Sequence, residues 1–84
     1  MRTVVDAGNT QAPALACLIA MGFRVSRVDG RSDMLRAESP AHILIAESPV
    51  ALLGLAAMIE QRGEGWRPTD DEIEQLLKID QADA

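Results

Sequence analysis

Eighty-four residues suffice for one domain with one hydrophobic core and exclude a second; at this size only somewhat over roughly 60% of the unfolded surface can be buried, which holds stability to about 4 to 12 kcal/mol. Apolar residues make up 48% of the chain but aromatics only 2%, namely Phe23 and Trp66, and tyrosine is absent, so the core must be aliphatic and the stacking platforms that read single-stranded nucleic acid are missing. A formal charge of -5 and a pI near 4.6 disfavour nucleic-acid partners and make a basic one electrostatically cheaper.

The charge is uneven along the chain. Residues 1–42 hold five Arg against four acids, whereas residues 43–84 hold three bases against nine acids. The lone cysteine, Cys17, has no internal disulfide partner; within the apolar run Ala14 to Met21 it reads as a buried, inert thiol in a reducing compartment. No stretch reaches the ~18 apolar residues of a membrane span, and Met1 to Gly8 lacks a signal-peptide core, so the expected location is the cytoplasm.

Residues 1–9 read as an extended lead-in. Asn9 or Thr10 then caps a helix that tolerates Pro13 in its first turn and stops at Gly22. Nearly every side chain between is apolar, which places this helix in the interior or against a partner.

A strand follows at Phe23 to Val28, where apolar and polar residues alternate, and Asp29-Gly30 supplies turn residues. A second strand is predicted at about Met34 to Glu38, and a third at Ala41 to Ala46 after the Ser39-Pro40 turn. The run Ile43-Leu44-Ile45 is apolar on both faces, so that strand is expected to be central or doubly covered. Short turns make the sheet a three-stranded antiparallel meander in the order 1-2-3.

Ser48 and Pro49 write a helix start, with an N-cap oxygen followed by the pre-set φ of a first helical residue. Leu52, Leu55, Ala56 and Ile59 form its apolar stripe. Gly54 sits in mid-helix at a cost of roughly 0.5 to 1 kcal/mol, for which close approach of another backbone is the simplest reason. Gly63 ends the helix. Thr69 with Glu72 then spells a capping box for a last helix, Asp70 to about Lys78, that buries Ile73, Leu76 and Leu77 and leaves residues 80–84 frayed.

The chemistry-bearing residues are few. His42 is the only imidazole, and a small enzyme or ligand-binding domain would centre on it, with Glu47 or Asp6 as its carboxylate; a structural role is the stronger reading. Asp29 to Asp33 lacks the later ligands of a calcium loop, and one Cys with one His lacks the paired spacing of zinc sites, so neither a metal nor a cofactor is expected. Gly8-Asn9-Thr10 lacks the glycines and lysine of a phosphate loop. Arg24, Arg27, Arg31 and Arg36 lie on or beside the first two strands, interleaved with Asp29, Asp33 and Glu38; that pattern suits a solvated face better than a weak nucleic-acid binder.

The sharpest surface feature is the pairing of Trp66 and Arg67 with the acidic last helix, Asp70, Asp71 and Glu74: an aromatic anchor with a charged rim. The expected fold class is α+β, a single small two-layer domain in the order α-β-β-β-α-α. The expected function is a protein-interaction or regulatory module of adaptor, inhibitor or immunity type without catalysis. One face of the sheet lacks a cover and the first helix is apolar all round, so a homodimer is also expected.

Overall fold

The Ser48 hydroxyl accepts a hydrogen bond from the Ala51 amide at 3.1 Å, and Pro49 opens the helix behind it. This N-cap is one of the local signals that shape the computed structural model, which describes residues 1–29 and 33–82. In chain order the elements are α1 (Gln11–Ala20), β1 (Arg24–Arg27), β2 (Leu35–Glu38), β3 (Ile43–Ala46), α2 (Pro49–Arg62) and α3 (Asp70–Ala82). A 3-10 turn, Gly8–Thr10, precedes α1 and another, Gly63–Gly65, follows α2. The α+β order α-β-β-β-α-α is therefore the observed one. Gly30 of the expected Asp29-Gly30 turn, Arg31, and the end of the tail at 83–84 lie outside the described residues.

Both glycine stops hold for the reason the sequence suggests. Gly22 has φ +96° and Gly63 φ +58°, a region that favours glycine. At the first stop the Gly22 amide donates to Ile19 O and the Phe23 amide to Leu18 O. This satisfies two of the last carbonyls of α1 in a Schellman arrangement. The start of α1 differs from expectation: neither Asn9 nor Thr10 caps it with a side chain. Thr10 turns back instead, its hydroxyl donating to Ala7 O at 2.6 Å, because the 3-10 turn claims it first.

The sheet is an antiparallel meander in the order β1-β2-β3. Its register opposes Arg24 to Glu38 and Glu38 to Ile43 in one row, and Val25 to Ala37 and Ala37 to Leu44 in the next. Alternation along each strand then assigns the faces. The Val25, Ala37, Leu44 row faces the helices; Arg24, Glu38, Ile43 and Ser26, Arg36, Ile45 form the outer face.

The core is small and aliphatic. Leu18, Ala37, Leu44, Leu52 and Ala56 are buried together, with Phe23, Val25, Leu35 and Ile59 packed around them. Gln11 Oε1 in α1 accepts from the Val50 amide at 3.2 Å, tying the first turn of α1 to that of α2.

Four expectations are corrected here. β3 is an edge strand, and although Leu44 is buried, Ile43 and Ile45 are 54% and 48% exposed; both helices that cover the sheet lie on one side. Cys17 is exposed, since α1 buries only Ala14 and Leu18. Gly54 meets no other backbone: a Cβ placed there finds nothing within 4 Å. Finally, α3 runs past Lys78 to Ala82, because Ile79-Asp80-Gln81 contains no helix breaker, yet it buries none of its apolar stripe.

Candidate protein-docking cleft

α3 begins with two reciprocal hydrogen bonds. The Glu72 amide donates to Thr69 Oγ1 at 3.2 Å, and the Thr69 amide donates to Glu72 Oε1 at 2.7 Å. This is the capping box read from the sequence. The same carboxylate is gripped from α2: Arg62 Nη1 donates to Glu72 Oε2 at 2.6 Å and Nη2 to Oε1 at 3.1 Å. Arg62 Nη2 also donates to the Arg67 carbonyl at 3.1 Å, so one guanidinium holds both the connection and the helix. Hydrogen bonds from Arg62, followed by that from the Thr69 amide, keep the Glu72 carboxyl below its ordinary value.

This clamp sets α3 beside the end of α2 without closing the space between them. The result is a cleft of about 330 Å³ in which Met58, Trp66, Pro68, Ile73 and Leu76 form apolar walls and Arg62 and Glu72 the polar edge. Trp66 is 39% exposed, and the Arg67 guanidinium lies over its ring at 5.0 Å from the centroid, a cation–π contact. The arrangement offers an apolar slot with a rigid aromatic wall.

The residues singled out from the sequence divide between two sides of this feature. Trp66 and Arg67 stand together at the cleft. Asp70, Asp71 and Glu74 are all exposed on α3. At about 100° per residue, Asp70 and Glu74 lie along one edge of the Ile73, Leu76, Leu77 stripe, on the Leu77 side, while Asp71 falls on the opposite face with Lys78. Sequence reading missed Met58, Pro68 and Arg62, and it placed Ile73, Leu76 and Leu77 in the core, whereas they are 45%, 60% and 50% exposed. The signal that could have found Arg62 is its position immediately before a glycine stop and ten residues before the capping glutamate.

His42 sits elsewhere, in a pocket of about 420 Å³ with Met21, Phe23, Ala56, Ile59 and Glu60. The carboxylate nearest to hand is neither Glu47 nor Asp6 but Glu64, 3.6 Å from Nε2. Ser39 is engaged in the turn, its hydroxyl accepting from the His42 amide at 3.1 Å.

Arg24, Arg27 and Arg36 do share a feature: with Ser26, Asp29 and Glu38 they line a groove of about 500 Å³. Arg36 pairs with Glu38 at 3.2 Å, and its buried Nε has no acceptor among the described residues. Among the described residues no three His, Cys, Asp or Glu side chains converge as a metal site requires, and no helix is long and apolar enough to cross a membrane.

No protein-family model matches this chain, and comparison with curated proteins and with solved structures finds no match to it.

Proposed function

We propose that this chain is a protein-interaction or regulatory module of the cytoplasm, of adaptor, inhibitor or immunity type. It works by docking, without catalysis. The observation that carries the reading is the open cleft between α2 and α3, where the only tryptophan stands half exposed beside Ile73 and Leu76. Burying apolar surface and an aromatic anchor inside a charged rim is how protein contacts gain affinity. The carboxylates of Asp70 and Glu74 beside the stripe favour a basic partner. An exposed free thiol at Cys17 suits a reducing compartment.

The test is capture by the immobilised chain from its source cell. Trp66→Ala is expected to abolish specific capture, Asp70→Lys to weaken it, and Asp71→Lys, on the far face of α3, to leave it nearly unchanged. Capture indifferent to Trp66→Ala removes the cleft from the reading.

A second reading rests on the pocket beside His42, whose apolar walls and neighbouring Glu64 suit a small ligand or a small enzyme's substrate. It predicts a ligand-induced melting shift that His42→Ala eliminates.

A further inference from the structure

The chain leaves more of itself in water than its size calls for. It exposes 6791 Å², against about 4,900 Å² for a compact folded monomer of 9.0 kDa. Its radius of gyration is 14.8 Å, against about 12 Å for a compact domain of this length. The excess, about 1,900 Å², is shared between the exposed lead-in of residues 1–7 and the surfaces of α3 and the sheet, and it exceeds the roughly 800 Å² per chain that a stable dimer buries.

Two of the exposed surfaces are complementary. One is α3. Of its described side chains only Glu72 is even half-buried, so Ile73, Leu76 and Leu77 face water on a helix of 13 residues, a length at which an isolated helix is marginal. Carboxylates border that stripe at Asp70 and Glu74, and Asp80 continues it a turn beyond Leu76. The other is the outer face of the sheet, where exposed Ile43 and Ile45 share the surface with Arg24 and Arg36 against Glu38 alone, beside a groove that Arg27 and Asp29 also line. The buried Arg36 Nε is a donor without an acceptor among the described residues.

A helix cannot cover its own sheet here. Covering the outer face with the chain's own α3 would break the bidentate Arg62–Glu72 pair that fixes it beside α2. Nor does α3 suit a second α3: it holds Asp70, Asp71, Glu72, Glu74 and Asp80 against Lys78 alone, so self-pairing sets like charges together.

Given that α3 is a docking surface, as proposed above, the geometry points to a second copy of this chain as its occupant: the apolar stripe of α3 lies across the outer sheet face of the other copy, with Glu74 and Asp80 toward Arg24 and Arg36. The exchange is reciprocal, so two copies close on a two-fold axis and nothing is left to propagate. The helix is about 20 Å long, enough to cross three strands spaced about 4.8 Å apart. The exposed part of the Arg36 guanidinium, whose side chain is 40% exposed, is what a carboxylate from the partner's helix meets.

Sedimentation velocity on the full chain over a range on the order of 1 to 200 μM tests this, with charge reversal as the probe. The wild type is expected to pass from monomer to dimer. Arg24→Glu/Arg36→Glu makes the sheet face acidic, and Glu74→Lys/Asp80→Lys makes the helix basic; each protein alone is expected to dimerise about tenfold more weakly or worse. Mixed in equal amounts the two restore dimers, because in the mixed pair both helix–sheet contacts are of opposite charge. A wild type that stays monomeric throughout overturns the proposal even if a variant fails to fold. So does a dimer indifferent to both reversals, or one that the mixture does not recover. The failures separate: a monomer whose capture of a foreign protein depends on Trp66 sinks the second copy alone. Capture that ignores Trp66→Ala sinks the cleft itself.

Discussion

Arg62 at the end of α2 and Glu72 in the first turn of α3 form a bidentate pair, 2.6 and 3.1 Å across its two hydrogen bonds. Among the described side chains of α3 no other is half-buried, so the position of the last helix depends on one guanidinium. Arg62→Met is therefore expected to unfasten α3 while leaving the sheet and the α1–α2 packing in place. Loss of amide-exchange protection confined to residues 70–82, with the core still protected, is the measurement that checks it.

The same pair sets a pH dependence. The Glu72 carboxyl lies below its ordinary value of 4.5, first because of Arg62 and then the Thr69 amide. The native state thus holds that proton more weakly than the unfolded chain does. Its contribution is present above the ordinary value and is lost as pH falls through the lowered one. The pair is partly solvated, so the effect is modest. Helical signal from α3 is expected to hold at neutral pH and to fall only as pH drops below the ordinary value of 4.5, and Glu72→Gln is expected to flatten that part of the titration.

Gly54 has no contact that requires a glycine. A Cβ there meets open space, and its φ is not in the left-handed region. Gly54→Ala should therefore stabilise the fold by about 0.5 to 1 kcal/mol, through helix propensity and a less flexible unfolded chain. That amounts to a rise of a few degrees in Tm. A fall in Tm would mean that another backbone does approach α2 in solution, as in an assembly.

How much could be read in advance depended on whether a signal was local. Ser48-Pro49, Thr69 with Glu72, Gly22 and Gly63 each act within one turn of chain, and each boundary they imply is present. The meander order followed because short turns leave strands no other neighbours. Burial was legible only in part, because it depends on what lies across the fold. Ile43 and Ile45 look like Leu44 in sequence, but helices cover one face of the sheet, so only Leu44 is buried. The stripe of α3 reads as a core face, yet nothing in Ile73 or Leu76 could reveal that α3 would be held away from the body by Arg62. The cleft was half legible: Trp66 and Arg67 stood out by rarity and adjacency, whereas Met58 and Pro68 join it through tertiary structure alone.

The core's economy makes it brittle. Leu18 and Leu52 are the two largest side chains with no exposure, and they belong to the same cluster from α1 and α2. Leu52→Ala removes buried methyl groups and leaves a void, at an expected cost of about 2 to 5 kcal/mol. Against a total on the order of 4 to 12 kcal/mol, that is enough to leave a measurable unfolded population at growth temperature. Urea titration is the check: a midpoint unchanged from wild type would mean that the two helices repack around the deletion.

Ile43 and Ile45 allow stability and assembly to be separated. In one chain they are 54% and 48% exposed, so Ile43→Thr/Ile45→Thr keeps β-branching and removes little buried area; its effect on the monomer is expected to be within about 0.5 kcal/mol. If a second copy's α3 covers that face, both residues become buried on assembly, and binding raises the melting temperature with protein concentration. The wild type should then melt higher at 200 μM than at 2 μM, both on the order of the dimerisation range, while the double variant melts at one temperature across it. Equal concentration dependence in the two proteins would place any contact between copies on some other surface. The sheet face would then be a solvated one whose isoleucines serve only the strand.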